Sequence, residues 1–335
     1  MKNTPHRPSR KYNEKIAIIG AGPAGLSCAY HLVEMGYKSE IFDENPIPGG
    51  MMIYGVPSSR IPTDVLMSEI ENLYNMGIVI HSRRKIRPEN IDDMFESKYD
   101  AVFIGCGLWK PGRLGIPGED IFPVYSGLNF LKKFNIYERK LEKDAGAPKV
   151  GKKVIIIGGG NVAMDVAIGT MRLGAEEVRV VCLESFEEMP SYKNERALAL
   201  AMGVRFHTGI KPLRITGKNG VVTGVAGIKV SRNGENIVET SDTEIFLPAD
   251  TVIEAIGQRP DIGFISGLTG VEHDDMGLIK VNRDTMKTGR AGIFAGGDIV
   301  SGGTNIARAI KEGKIAAISI DKYLKSLKIN SPHIA

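Results

Sequence analysis

Two stretches of the chain carry the same succession of apolar run, glycine turn and helical spacing. They are KIAIIGAGPAGLSCAYHLVEMGYKSEIFDE at 15–44 and KVIIIGGGNVAMDVAIGTMRLGAEEVRVVCLE at 153–184. The short unbroken apolar run that opens each predicts a strand buried on both faces. The apolar positions that follow recur at three- and four-residue spacing and predict an amphipathic helix. Gly36 and Gly174 stand where those helices must stop, as residues free to take positive φ. A second strand closes each stretch and ends in acid. Strand, helix and parallel strand form a right-handed βαβ unit, so the repeat predicts two doubly wound α/β domains.

Further short apolar runs predict strands at 77–81, 100–105, 204–208, 221–230 and 250–256. YDAVFIGCG and ADTVIEAIGQRPD are both strands running into a glycine turn, at Gly107 and Gly257, and read as one structural event in each domain. The segment 136–150 is charged and then rich in Ala, Gly and Pro, which predicts a crossing linker. Near the end, GIFAGGDIVSGGTNIARAIKEGKIAAISIDKYL predicts a strand, a glycine-rich turn and a long helix.

The length of 335 residues agrees with about two domains at ~150 residues each. With 42% apolar and 24% charged residues, composition excludes a disordered chain and a disulfide scaffold. A net charge of +4 gives no electrostatic case for nucleic acid. Cys28, Cys106 and Cys182 are far apart, so the chain has no C-x-x-C pair for a disulfide centre, an iron–sulfur cluster or a zinc knuckle. An odd cysteine count without a signal-like segment predicts a cytoplasmic setting, and no apolar stretch is long enough to span a membrane. The histidines (His6, His31, His81, His207, His273, His333) lack ligand spacing, so no metal site is expected.

Chemistry concentrates in the two glycine turns. Gly20-Ala21-Gly22-Pro23-Ala24-Gly25 is G-x-G-x-x-G between strand and helix. Gly20 makes the turn, Gly22 lets a pyrophosphate approach, and Gly25 lets helix and strand pack closely. Free N–H groups at the helix start hold the phosphates, and Asp43 can accept from ribose hydroxyls. Gly158-Gly159-Gly160-Asn161-Val162-Ala163 is the second fingerprint, G-x-G-x-x-A. Its second strand ends at Leu183-Glu184, where an NADP site needs cations for the 2′-phosphate. Glu184 repels a phosphate and accepts from a free 2′-hydroxyl, which favours NAD(H). The competing reading makes Glu184 a solvated strand end and has Arg172 or Arg179 reach the phosphate.

GAGPAGL, PGGMMIYGVPSSRIPTDVL, GGGNVAMDVA, EEMP, AIGQRPD and FAGGDIVSGGTNIARAIKEGK run in one order over about residues 15–325. In them the chain resembles the pyridine-nucleotide-dependent flavoproteins, and within these the glutamate synthase small subunit and its iron–sulfur-linked kin. The resemblance implies an FAD domain discontinuous in sequence, 1–135 and 262–335, with an NAD(P) domain inserted at 136–261. It implies FAD on Gly20 to Gly25, with Asp43 on the adenosine ribose, Ile86 at the adenine end, and Gly50, Met51 and Arg60 near the cofactor. Gly107 would lie beside it, Gly297 and Asp298 would take the ribityl chain, and the helix opening near Thr304 and Asn305 would aim its positive end at the flavin N1/C2 carbonyl. Family members of the NADP type carry an Arg-Arg pair where this chain has Leu183-Glu184. They also carry an N-terminal cysteine-rich domain with two [4Fe–4S] clusters. Only fourteen residues precede the first strand here, so electrons are expected to pass to clusters of another protein.

The expected activity is hydride exchange between nicotinamide and flavin, then single-electron transfer to or from an iron–sulfur partner as a subunit of a larger complex. The rings must meet at ~3–3.5 Å for hydride to pass, and the cofactors carry the chemistry, so no catalytic side chain is assigned. A thioredoxin-reductase-like disulfide reductase, a free-standing diaphorase and a non-catalytic flavin scaffold are the competing functions. The first lacks its C-x-x-C, and intact fingerprints at both sites argue against the last. Cys106 is read as packing, and Lys132-Lys133, Arg139-Lys140 and Lys143 as a solvated face. Arg83-Arg84-Lys85 is a basic cluster with no assigned partner.

Overall fold

The computed structural model describes residues 8–330 apart from 98, 234 and 235, so His6 and His333 lie outside the described residues. In chain order the first part comprises β1 (Lys15–Ile19), α1 (Pro23–Glu34), β2 (Lys38–Phe42), α2 (Met51–Tyr54), α3 (Thr63–Asn75), β3 (Val79–His81), α4 (Glu89–Glu96) and β4 (Ala101–Ile104). After β5 (Lys110–Pro111) come β6 (Val124–Ser126), α5 (Gly127–Glu138), β7 (Lys153–Ile157), α6 (Asn161–Arg172), β8 (Glu177–Val181), α7 (Lys193–Ala201) and β9 (Arg205–His207). Then follow β10 (Ile210–Lys218), β11 (Val221–Asn233), β12 (Asn236–Pro248), β13 (Thr251–Glu254) and β14 (Gln258–Arg259). The last part holds α8 (Ile262–Ser266), β15 (Ile293–Ala295), α9 (Asp298–Ser301) and α10 (Ile306–Asn330).

The chain forms two units. One runs to Ile53 and takes up again at Ser59–Lys110 and from Arg259; the other is Pro111–Gln258 with Tyr54–Ser58. The first is therefore discontinuous and the second inserted. The second unit begins at Pro111, not at the expected 136, because α5 is part of its core. Phe130, Leu131 and Phe134 of that helix pack with Met164 and Ile168 of α6. Composition pointed to the charged segment after α5, whereas the boundary follows the apolar face before it. Tyr54–Ser58 joins the second unit through Asn135 Nδ2, which donates to the Tyr54 carbonyl at 3.0 Å, and Arg139 Nη2, which donates to the Val56 carbonyl at 2.7 Å.

The first unit holds a five-stranded parallel sheet in the order β15-β4-β1-β2-β3. Ile16, Ile18, Ile41 and Phe103 face one side with α1 and α10. Ala17, Ile19, Val102 and Ile104 face the other. Burial on both faces is why these strands read as unbroken apolar runs.

The second unit has its own five-stranded parallel sheet, β6-β13-β7-β8-β9. One face is covered by α5 and α6, the other by the antiparallel sheet β10-β11-β12 through Ile215, Val222, Val225 and Leu247. Of that antiparallel sheet, only 221–230 had been expected from the sequence. Among the described residues, no helix is long and apolar enough to cross a membrane, and no group of three His, Cys, Asp or Glu is placed to hold a metal.

Candidate functional site

In both units the glycine turn is held by the same backbone bonds. Gly20 N–H donates to the Phe42 carbonyl at 2.8 Å, and Gly158 N–H to that of Val181 at 2.9 Å. Gly105 N–H reaches the Ile19 carbonyl at 2.8 Å, as Ala255 N–H reaches that of Ile157 at 2.8 Å. A later segment returns to each turn: Gly49 N–H donates to the Ala21 carbonyl, and Ser191 N–H to the Gly159 carbonyl. Arg84 N–H donates to Asp43 O, and Ile210 N–H to Cys182 O. Asp43 therefore corresponds to Cys182, and Glu184 to Asn45. The acidic ends of the two stretches are not equivalent, because Asp43 is the first residue after β2 whereas Glu184 is the third after β8.

Both helices start on glycine. Gly22 and Gly160 are the N-caps of α1 and α6, and neither helix has a side-chain cap bond. The first N–H groups of each helix are thus left for an anion. Gly20 and Gly158 take φ of +100° and +134°. A Cβ on Gly25 would fall 1.9 Å from the Gly20 carbonyl oxygen, so helix and strand meet where no side chain fits. Ala163, in the same place of the second turn, is buried with its methyl accommodated. Pro23, Ala24, Asn161 and Val162 form the first helical turns, and Asn161 Oδ1 accepts from Tyr192 N–H at 2.8 Å.

Beside the first turn lies an open cleft lined by Gly20, Asp43, Ile86 and Gly107 together with Cys106 and Trp109. Asp43 is buried, and its Oδ2 and Oδ1 accept from Ala21 N–H at 2.6 Å and Asn45 N–H at 2.7 Å. Burial pushes its carboxyl above the usual aspartate range, while those two donors pull the other way. The Asn45 side chain binds the carboxylate as well, and the acceptor capacity that remains can take a ligand hydroxyl. Gly50 abuts Gly22, since a Cβ on Gly50 would lie 2.7 Å from the Gly22 Cα. Met51 follows it half-buried, and Arg60 is exposed and outside the cleft lining.

Gly297 presses on α1, where its Cβ would lie 2.9 Å from that of Ala24. Asp298 Oδ1 accepts from Thr304 N–H at 3.3 Å and from the Thr304 hydroxyl at 3.4 Å, and burial raises its carboxyl. Asn305 Oδ1 takes the Arg308 N–H at 2.9 Å at the start of α10.

One residue missed from the sequence organises this corner. Glu312 is buried in α10, its Oε2 accepting from Gly297 N–H at 2.7 Å and its Oε1 from Ser301 at 2.5 Å and Arg308 Nε at 3.1 Å. A carboxylate among the apolar positions on the buried face of an amphipathic helix is the available signal. Trp109, Glu44, Asn45 and Phe264 of the cleft carry no signal in the sequence reading, which marks Arg84 only as part of the basic cluster at 83–85.

In the second unit a Cβ on Gly158 would lie 2.3 Å from Ala255 O, while Gly160 and Gly257 have open space before them. Glu184 Oε2 lies 3.0 Å from where a Gly159 Cβ would be, so the carboxylate stands over the turn. Arg172 Nη1 is bound to Glu138 at 2.6 Å, and Arg179 to Glu177 at 2.8 Å and the Pro248 carbonyl at 2.8 Å. Both arginines that could have served a 2′-phosphate are engaged elsewhere. Burial raises the Cys106 and Cys182 thiols to about 12 and lifts Cys28 as well, so none is an activated thiolate.

A family model for the pyridine nucleotide-disulphide oxidoreductases matches residues 14–313. The chain belongs to that family. It is an enzyme of the flavin-dependent kind that uses a pyridine nucleotide, and membership supports FAD as its flavin. It is 39% identical over 321 residues to the NADP(+)-dependent formate dehydrogenase subunit beta of Moorella thermoacetica, covering 93% of this chain and 44% of that one. It is 34% identical over 330 residues to the glutamate synthase (NADPH) small chain of Escherichia coli (strain K12), covering 94% of this chain and 70% of the relative. The chain thus spans less than half of the first relative's length. Among solved structures, Mycobacterium tuberculosis FprA in complex with NADPH superposes with a TM-score of 0.77 at 19% identity, over 95% of this chain and 86% of that one. At that identity the likeness shows a shared fold.

Proposed function

We propose that the chain is the FAD-bearing, NAD(H)-linked electron-transfer subunit of a larger redox complex, with an iron–sulfur protein as its electron partner. The discontinuous unit is the FAD domain and the inserted unit the NAD domain. The residues of the first unit fit FAD. Uncapped N–H groups behind Gly22 would take the pyrophosphate, the apolar cleft with Asp43 and Ile86 the adenosine, and Asp298 with Gly297 the ribityl chain. Gly50, Met51, Gly107 and Arg60 complete that assignment, and α10, opening after Thr304 and Asn305, would favour the anionic reduced ring. The second turn, Gly158 to Ala163 with Gly257, takes the nicotinamide dinucleotide.

FAD, when bound, supplies the chemistry that links two-electron hydride exchange to one-electron transfer. The protein's part is to orient and to exclude water, and no side chain needs to move a proton. Both relatives above are named for NADP(+) or NADPH, and their names speak for those proteins. The observation that carries NAD(H) here is Glu184, whose carboxylate stands over the turn while Arg172 and Arg179 are bound elsewhere. The naming of the Moorella relative as a subunit supports an assembly.

The test is anaerobic reduction of the flavin-loaded protein by NADH and by NADPH. Bleaching with kcat/KM at least tenfold higher for NADH is expected. A higher value for NADPH overturns the nucleotide assignment, and protein that stays colourless when supplied with FAD overturns the whole reading. Full-rate reduction of its physiological acceptor by the isolated chain removes the need for a cluster partner.

A further inference from the structure

The basic cluster at 83–85 meets the first unit's cleft at Arg84 and Lys85, and of these only Lys85 has an ion-pair partner among the described residues. The backbone there is fixed: Arg83, at φ +57°, donates its N–H to Asn45 O at 3.1 Å, and Arg84 N–H donates to Asp43 O at 2.7 Å. Arg84 is thereby set on the rim of the cleft beside Asp43 and Asn45, and its side chain is exposed there. Apart from Asp43, whose carboxylate accepts backbone N–H groups, the other charges of the rim are paired within the protein. Lys85 pairs with Glu44 at 3.0 Å and Asp261 with Lys110 at 3.2 Å. The Arg84 guanidinium has no hydrogen-bond or ion-pair partner among the described residues. The cleft it borders is walled by Ile19, Phe42, Ile86 and Phe264, a lining suited to a flat aromatic ring. At the topologically matching place of the second unit stands Ile210, so this cation is a property of the first site alone.

We infer that Arg84 covers the adenine of the dinucleotide bound in the first unit, laying its planar guanidinium on the purine face. This rests on the assignment of FAD to that unit. A guanidinium stacks on an aromatic ring as a plane and a charge together, whereas an ammonium offers only the charge. Arg84 would thus be a cofactor-binding residue that grips the half of FAD missing from FMN.

The experiment uses the full chain, stripped of flavin and titrated with FAD, ADP and FMN. Binding is read from flavin fluorescence and from the emission of Trp109, the only tryptophan, which lines the same cleft. Arg84→Ala is expected to weaken FAD and ADP by roughly threefold to thirtyfold and to leave FMN unchanged. Arg84→Lys is expected to recover little of that loss. Unchanged FAD and ADP binding in Arg84→Ala, or full recovery by Arg84→Lys, overturns the inference while leaving the FAD site intact. Wild-type protein that binds neither FAD nor ADP sinks the underlying site assignment, and this inference with it. Equal melting of the flavin-free wild type and variants establishes that binding alone has changed.

Discussion

Gly25 and Ala163 hold the same place in two copies of one turn, yet only the first forbids a side chain. The backbone frames match bond for bond, from Gly20 and Gly158 through the returning Gly49 and Ser191. What lines them differs at almost every matched position. Asp43 stands against Cys182, Arg84 against Ile210, Gly50 against Tyr192, and Ile104 against Glu254. A βαβ frame therefore sets where a dinucleotide can lie, and residues outside the fingerprint decide which one and how tightly. The sharpest way to break this comparison is to exchange the third positions. Gly25→Ala places a methyl 1.9 Å from a carbonyl oxygen, which only a backbone shift can relieve. Flavin content after purification should fall below about a tenth of wild type. Ala163→Gly should cost about 1–2 kcal/mol of stability, from added backbone freedom at a helix start and the loss of a buried methyl. Flavin retained by Gly25→Ala would show that the close approach is not needed.

Next in size is the carboxylate that the second turn lacks. Asp43 satisfies the N–H groups of Ala21 and Asn45, and Asp43→Asn keeps one acceptor oxygen in place of two. About 1–3 kcal/mol of stability should go with the unsatisfied donor, together with FAD affinity. Cys182→Ala, in the matching place, should cost less, since its thiol makes one contact, to the Glu184 carbonyl at 3.6 Å. Thermal melting of both variants with and without FAD checks the order. The double variant Leu183→Arg/Glu184→Arg addresses the nucleotide itself. Exchanging repulsion for two cations should move the NADPH-to-NADH ratio of kcat/KM upward by about tenfold or more.

The chain shows its frame plainly and its linings poorly. Apolar runs, glycine turns and the helix stops at Gly36 and Gly174 are local features, and the strands, helices and turns lie where those features put them. The antiparallel sheet β10-β11-β12 was legible only in part, because β12 carries a polar, charged pattern (NIVETSDTEIFLP) whose pairing is decided by partners distant in sequence. The equivalence of Asp43 with Cys182 was also hidden. The acid of the second stretch stands two positions further beyond its strand than Asp43 does, and only pairing register reveals it. Arg84 and Glu312 act across long sequence separations, so no spacing marks them.

The smallest expected effect concerns Glu254, which stands where the first sheet has the fully buried Ile104. Burial, and next the charge of Glu119 beside it, push the Glu254 carboxyl up to about 7. Against its own burial, Glu119 is held below the usual range first by the hydrogen bond with Glu254 and then by Gly115 N–H at 2.7 Å and Arg113 Nε at 3.0 Å, so it is the acceptor for the Glu254 proton. Because the folded protein binds that proton more tightly than the unfolded chain does, the gain is complete below about pH 4.5. It is lost as pH rises through about 7. In the upper part of that interval Glu119 is ionised in both states and adds no slope. Glu254→Gln keeps a donor for Glu119 without a titrating proton, so the difference in melting temperature between variant and wild type should grow in the variant's favour from pH 5 to pH 8. Taking the difference removes His31 and His207, whose imidazoles burial holds below the ordinary range and which titrate alike in both proteins. Parallel melting curves across that range would mean that Glu254 is ionised throughout, and that the second sheet tolerates at this position a buried charge for which the first has only isoleucine.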